Sequence, residues 1–157
     1  MLTRPTFSSA VFEEGTDTAV LLYTTAYEDE TQRIVAVKFN EVADKFRQMK
    51  IDSVKFFAYD INTQSKAPRI ENSEVPTIFF MPAFKKTPPY LRFLGNPRVS
   101  EIGAFIKKHA SIKFDMTIDL AQMEQIQEAQ LKQAIEQKQQ KDQMKMIEDE
   151  LRRRGEL

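Results

Sequence analysis

The sequence predicts an α/β domain followed by a long helical extension, and three observations carry that reading. Over residues 1–114, short apolar runs rich in β-branched and aromatic residues are bounded by turn signals. Between the first two of these runs, apolar residues recur at three- and four-residue steps, the spacing of a helix with one buried face. From residue 117 to 157 there is no aromatic residue and no proline, and Gln, Glu and Lys dominate.

The elements follow in order. Ala19 to Thr25 (AVLLYTT) is a continuous apolar run and reads as a strand buried on both faces. Thr31 to Met49 places Ile34, Val35, Val37, Phe39, Val42, Ala43, Phe46 and Met49 at helical spacing. Val54 to Tyr59 is a second strand, and Pro68 to Asn72 is a candidate short helix with proline in its first turn. Val75 to Met81 is a third strand, entered through a proline, and Tyr90 to Leu94 a fourth, ended at Gly95-Asn96-Pro97. Ser100 is the expected cap of a helix carrying Ile102, Phe105 and Ile106. Strand–helix–strand followed by a tight strand pair implies a mixed sheet flanked by helices.

Composition excludes several functions. The chain has 157 residues, enough for one domain plus an extension, and its 41% hydrophobic content with 12 Phe supplies one core. Lys plus Arg and Asp plus Glu both number 23, so no cationic excess exists to replace phosphate counterions and no nucleic-acid partner is expected. Zero Cys excludes disulfides, thiolate-bound zinc and thiol nucleophiles. No apolar run approaches a membrane span, so no direct membrane insertion is expected. Four glycines form no phosphate-cradling loop, and the single histidine, His109, stands without a visible base or ligand partner. No cofactor, metal or small-molecule substrate is expected, and no enzymatic activity.

Three segments together resemble a known family. Leu2-Thr3, Phe7, Val11-Phe12, Val20-Leu21-Leu22 and Ala26 are similar to the opening of a catalytic domain of protein disulfide isomerases, including its first helix. Val75-Pro76-Thr77-Ile78-Phe79-Phe80 resembles the family's strand that begins at a cis-proline beside the active site. Gly95-Asn96-Pro97-Arg98, with Val99-Ser100-Glu101-Ile102, resembles the segment leading into its last helix. The resemblance implies a thioredoxin-like fold over 1–114, with 115–157 as a separate long helix. It also places Asp29 and Gln32 where the family has its two reactive cysteines, and Tyr23 on or next to the place of its buried relay acid. Disulfide exchange needs a thiolate that attacks sulfur, so neither Asp29 nor Gln32 can perform it. The resemblance further implies a peptide groove at Val75 and Pro76. Two readings of Pro76 stay open: a substrate edge, or a proline that simply starts the strand.

Other features have local explanations. Glu28, Asp29 and Glu30 fall at the start of the long helix, where carboxylates offset the macrodipole. Pro88-Pro89 lies in a loop between the last two strands and reads as a rigid connection or an extended recognition segment.

From Thr117 onward strong helix formers run without a glycine until Gly155. A continuous helix to Arg153 would extend roughly 55 Å. Residues 136–143 carry no apolar side chain, whereas Met144, Ile147 and Leu151 fall at i, i+3 and i+7. That face is expected to dock on a partner, as a coiled-coil candidate lacking a sustained heptad of its own. The expected function is a redox-inactive interaction or scaffold protein, an accessory subunit docked to other protein subunits through this helix. The alternative is a non-catalytic, chaperone-like peptide binder. Family resemblance points to the endoplasmic reticulum. The absence of a signal-peptide stretch at the start, together with zero Cys, points instead to the cytosol or the mitochondrion.

Overall fold

The structure is a computed structural model that describes residues 11, 13, 15–26, 29–61, 75–86 and 89–155. The expected opening helix and the short helix at Pro68–Asn72 lie almost wholly outside the described residues. The chain divides into two compact units, Met1–Leu120 and Ala121–Leu157.

The first unit is built on a four-stranded mixed sheet. Its strands are β1 (Asp17–Tyr23), β2 (Val54–Asp60), β3 (Thr77–Met81) and β4 (Leu91–Arg92), in the order β2-β1-β3-β4. β1 pairs parallel to β2, with Asp17 opposite Val54 and Tyr23 opposite Asp60. β3 runs antiparallel to β1, with Thr18 opposite Met81 and Leu22 opposite Thr77, and β4 runs antiparallel to β3. The helices are α1 (Glu30–Gln48), between β1 and β2, and α2 (Val99–His109), after β4.

Strand alternation sends successive side chains to opposite faces, and both faces are covered. On one, Val20, Leu22, Tyr59, Phe79 and Met81 form a cluster with Val11. On the other, α1 lays down Val35, Phe39, Val42 and Phe46, buried at helical spacing. The Phe39 and Phe46 rings meet Phe56 of β2 edge-on, at 5.7 and 5.3 Å between centroids. α2 closes the same face: Phe105 packs on Phe80 at 6.2 Å, and Ile102 and Ile106 are fully buried. Each such side chain contributes about 1.5–3 kcal/mol by leaving water. Gly103 lets α2 approach its neighbours closely. A Cβ there would stand 2.6 Å from the Leu120 side chain, with Met116 at 3.6 Å and Phe46 of α1 at 4.0 Å beyond it.

α1 ends in a paired reverse turn. The Lys50 amide donates to the Arg47 carbonyl and the Ile51 amide to the Phe46 carbonyl, both at 3.0 Å, satisfying carbonyls the helix leaves open. The residue that turns the chain, Lys50, has φ of +57°, where glycine is usual.

Several boundaries differ from expectation, each for a visible reason. β1 begins at Asp17, two residues early, because that carboxylate is buried and fully engaged. β4 is only two residues long; Phe93 still donates to the Ile78 carbonyl at 2.9 Å, but the ladder stops before Gly95. α2 is capped by the extended backbone of Arg98 rather than by Ser100, and Val99, buried in its first turn, sets the start.

In the second unit, α3 (Leu120–Arg153, beginning at the boundary residue) is a continuous helix of 34 residues, about 50 Å long. It starts three residues after the expected Thr117 and ends at Gly155, whose φ of +74° and bond to the Arg152 carbonyl close the last turn.

Candidate functional site

The C-terminal end of β1 and the N-terminus of α1 bring Tyr23, Asp29 and Gln32 together around one cleft. Asp29 has extended backbone and is the N-cap of α1; its Oδ1 accepts from the Thr31 amide at 2.9 Å. A carboxylate there satisfies an amide that the first turn cannot pair internally and offsets the positive end of the helix. Gln32, only 6% exposed, turns inward from that turn. Its Oε1 accepts from the Thr24 amide at 2.8 Å, tying α1 to the end of β1, while its Nε2 has no partner. The two positions that resemble the reactive thiols are thus a helix cap and a helix-to-strand tie.

Tyr23 is half-buried, and its phenol is pushed above its usual value of 10.0 by burial and then by the negative charge of Asp60. Asp60, the last residue of β2, escaped the sequence reading. It is fully buried and accepts from the Thr25 amide at 3.2 Å and the Thr25 hydroxyl at 2.6 Å. The Thr24 hydroxyl accepts from the Ala26 amide at 3.1 Å. The Asp60 carboxylate is thus committed to shaping the β1–α1 loop. The cleft above these residues encloses about 660 Å3, with Tyr23, Thr25, Asp29, Gln32 and Arg33 on its border. Arg33 faces Glu30 at 3.8 Å on the exposed side of α1.

The Val75–Pro76 peptide bond is cis. Val75 and Pro76 border a second cleft of about 330 Å3, completed by Thr31, Val35, Phe93 and Leu94. The two clefts therefore flank the first two turns of α1: Asp29 and Gln32 face one, Thr31 and Val35 the other. Leu94, 85% exposed, leaves a large apolar side chain in water at the rim of the second cleft. Met144, Ile147 and Leu151 lie on α3, in the second unit.

A second buried carboxylate organises the opposite end of the sheet. Asp17, the first residue of β1, is fully buried. Its Oδ1 accepts from the Ala83 amide at 2.7 Å, and its Oδ2 from the Ser111 and Ile112 amides at 2.9 and 3.2 Å. One side chain thereby joins β1, the loop after β3 and the segment after α2. Lys86 is buried beside it, its Nζ donating to Thr18 Oγ1 and to the Met81 carbonyl, each at 2.9 Å. Burial pushes this ammonium down from 10.5 to about 8, although Asp17 and Glu13 pull the other way. Local periodicity could not announce this group, because each carboxylate bond spans 66 residues or more of sequence. His109 ends α2 with its ring edge-on to Phe105 at 5.0 Å; burial and then Lys108 lower its pKa.

Among the described residues there is no cluster of three or more acidic or histidine side chains suited to a metal, and no helix long and apolar enough to cross a membrane.

A parallel central strand pair, an antiparallel β3 entered at a cis-proline, and a helix starting beside that proline define a thioredoxin-like α/β fold, here without any cysteine. Solved structures share the fold. The J-Trx1 fragment of ERdj5 matches with a TM-score of 0.55 at 18% identity, over 69% of this chain and 48% of that one. Human ERp44 in its zinc-bound form matches with a TM-score of 0.54 at 17% identity, over 68% of this chain and 30% of that one. Chloroplastic thioredoxin z matches with a TM-score of 0.50 at 18% identity, over 68% of this chain and 89% of that one. In sequence, the chain is 42% identical over 66 residues to protein disulfide isomerase-like 1-4 of Oryza sativa subsp. japonica. That stretch is 42% of this chain and only 12% of the rice protein. No family profile matches the chain.

Proposed function

We propose that this chain is a redox-inactive, thioredoxin-like interaction protein, an accessory subunit that attaches to a larger protein assembly through α3. One observation supports the reading above others: α3 carries a series of large apolar side chains in water. Met144, Met146 and Ile147 near its end are 65%, 71% and 58% exposed, and Leu131 and Ile135 are similarly uncovered. A helix that propagates for 34 residues without burying these groups has its stabilising contacts still to make. With Asp29 and Gln32 occupied in local structure and no thiol anywhere, the domain offers a rigid surface and no exchange reaction.

Affinity purification of the full chain beside a version lacking residues 136–157 tests this. Fixed partners in stoichiometric amount, lost on deletion, support attachment through α3. Partners retained by the shortened chain refute it. A second reading, a non-catalytic peptide binder at Val75 and Pro76, is favoured by the cleft there and the exposed Leu94 at its rim. It predicts weak binding of many unfolded peptides that Val75→Arg abolishes and the deletion leaves unchanged.

A further inference from the structure

We propose that the Asp17 end of the sheet is a second docking surface, for an acidic amphipathic segment of a partner protein. The observation that prompts this is Phe84, a large aromatic 80% exposed in a loop whose neighbours are anchored. Ala83, immediately before it, is fully buried, and its amide is held by Asp17 at 2.7 Å. The Lys85 amide closes a turn on the Pro82 carbonyl at 3.0 Å. Lys86, two residues after Phe84, is buried, with its ammonium held at two points. The backbone on either side is therefore pinned, and the phenyl ring is presented outward with little left to order.

The surroundings give the surface its chemistry. Ile112, 39% exposed, lies beside this loop, because its amide and that of Ala83 bond to the two oxygens of one carboxylate. Lys85 and Lys113, next in sequence to these two apolar groups, are exposed, as are Lys107 and Lys108 in the last turn of α2, and none of the four makes an ion pair with a described residue. Glu13, the acidic residue that also acts on Lys86, is already engaged by Lys55 at 3.3 Å. An apolar centre flanked by exposed lysines that pair with no described residue complements an apolar stripe bordered by carboxylates. Pre-organised aromatic anchors of this kind concentrate binding energy, since ordering them costs little on association. The fixed loop favours a shaped protein partner over a lipid surface, which requires no fixed geometry. The surface uses no residue of α3 and none beside Pro76, so its failure leaves the proposed attachment standing.

The test titrates the full, 15N-labelled chain with a synthetic amphipathic peptide carrying Leu at i, i+3 and i+7 and Glu elsewhere. Its Glu→Lys counterpart and vesicles of phosphatidylcholine and phosphatidylserine serve as comparisons. The acidic peptide is expected to shift the amides of Ala83–Lys85 and Ser111–Lys113, with affinity falling as salt rises. Phe84→Ser should weaken binding about tenfold or more, and the double change Lys85→Glu/Lys113→Glu should abolish it. Every substituted residue is exposed, and unchanged melting curves verify the fold. No shift with the acidic peptide, shifts confined to the Pro76 cleft or α3, or equal binding of the lysine peptide would each overturn the proposal. Phe84-dependent binding to the vesicles alone would overturn it in favour of an anionic membrane.

Discussion

Replacing Asp17 with Asn changes one atom and no volume, yet it should be among the most damaging polar substitutions in this chain. The carboxylate receives three backbone amides: Ala83 on Oδ1, Ser111 and Ile112 on Oδ2. An amide offers one oxygen, so its NH2 group must face at least one N–H donor. The less costly orientation keeps Ser111 and Ile112 and sets the NH2 against the Ala83 amide, now 2.7 Å away. That forfeits a charge-assisted bond, about 1.5–3 kcal/mol, and strands a buried donor, about 1–3 kcal/mol more. Relaxation of the loop recovers part of this, which leaves an expected loss of about 3 kcal/mol. For a chain of this size the melting temperature should fall by about 10 °C. Urea unfolding of the whole chain, followed by circular dichroism, reads the loss. Amide exchange reads its location, with faster exchange at Ala83 in the variant. A loss under about 1 kcal/mol, with Ala83, Ser111 and Ile112 equally protected, would refute this account of the carboxylate.

Four further outcomes are expected. Asp29→Ala should cost about 1 kcal/mol of stability through loss of the α1 cap, whereas Asp29→Asn should cost almost nothing, as read from urea midpoints. Lys50→Gly should stabilise the chain by about 0.5–1 kcal/mol, since glycine adopts the positive φ at the end of α1 without strain. Gly103→Ala gains helix propensity but pushes a Cβ into the buried Leu120 side chain; a net loss of about 1 kcal/mol is expected, relieved when Leu120→Ala is combined with it. Finally, stability should rise with pH from about 8 towards 10.5. In that window the folded chain has released the Lys86 proton that the unfolded chain retains, so the penalty for burying the ammonium disappears. The gain is at most about 3 kcal/mol. Above 10 Tyr23 acts in the opposite direction, because its raised pKa makes the unfolded state lose its proton first. Lys86→Met should flatten the rise in a series of urea midpoints between pH 7 and 10.

The fold was legible where its determinants are local. β1 and β3 are continuous apolar runs, and Phe39, Val42 and Phe46 announce the buried face of α1 through spacing alone. Polar residues with distant partners were not legible. Asp17 and Asp60 look like turn residues at strand ends, and only their bonds to backbone more than 30 residues away make them core groups. Resemblance singled out Asp29 and Gln32, but nothing in the sequence says that the Gln32 side chain turns inward to Thr24. Tyr90 to Leu94 reads as a strand by composition, yet the ladder extends no further than Arg92. Phe84 is the reverse case: its hydrophobicity suggests burial, and the anchoring of Ala83 and Lys86 on either side holds it in water.

The Gln32 amide that ties α1 to β1 has a consequence for where such a chain can work. Where a sulfur pair sits at the end of a fold, stability varies with the reduction potential of the surroundings, at about 1.4 kcal/mol for each 30 mV. Here the tie is an amide oxygen on a backbone N–H, and no electron enters or leaves it. The folded state therefore has the same free energy in a glutathione-rich solution as in an oxidising one. A domain tied in this way holds its shape while the redox poise around it changes.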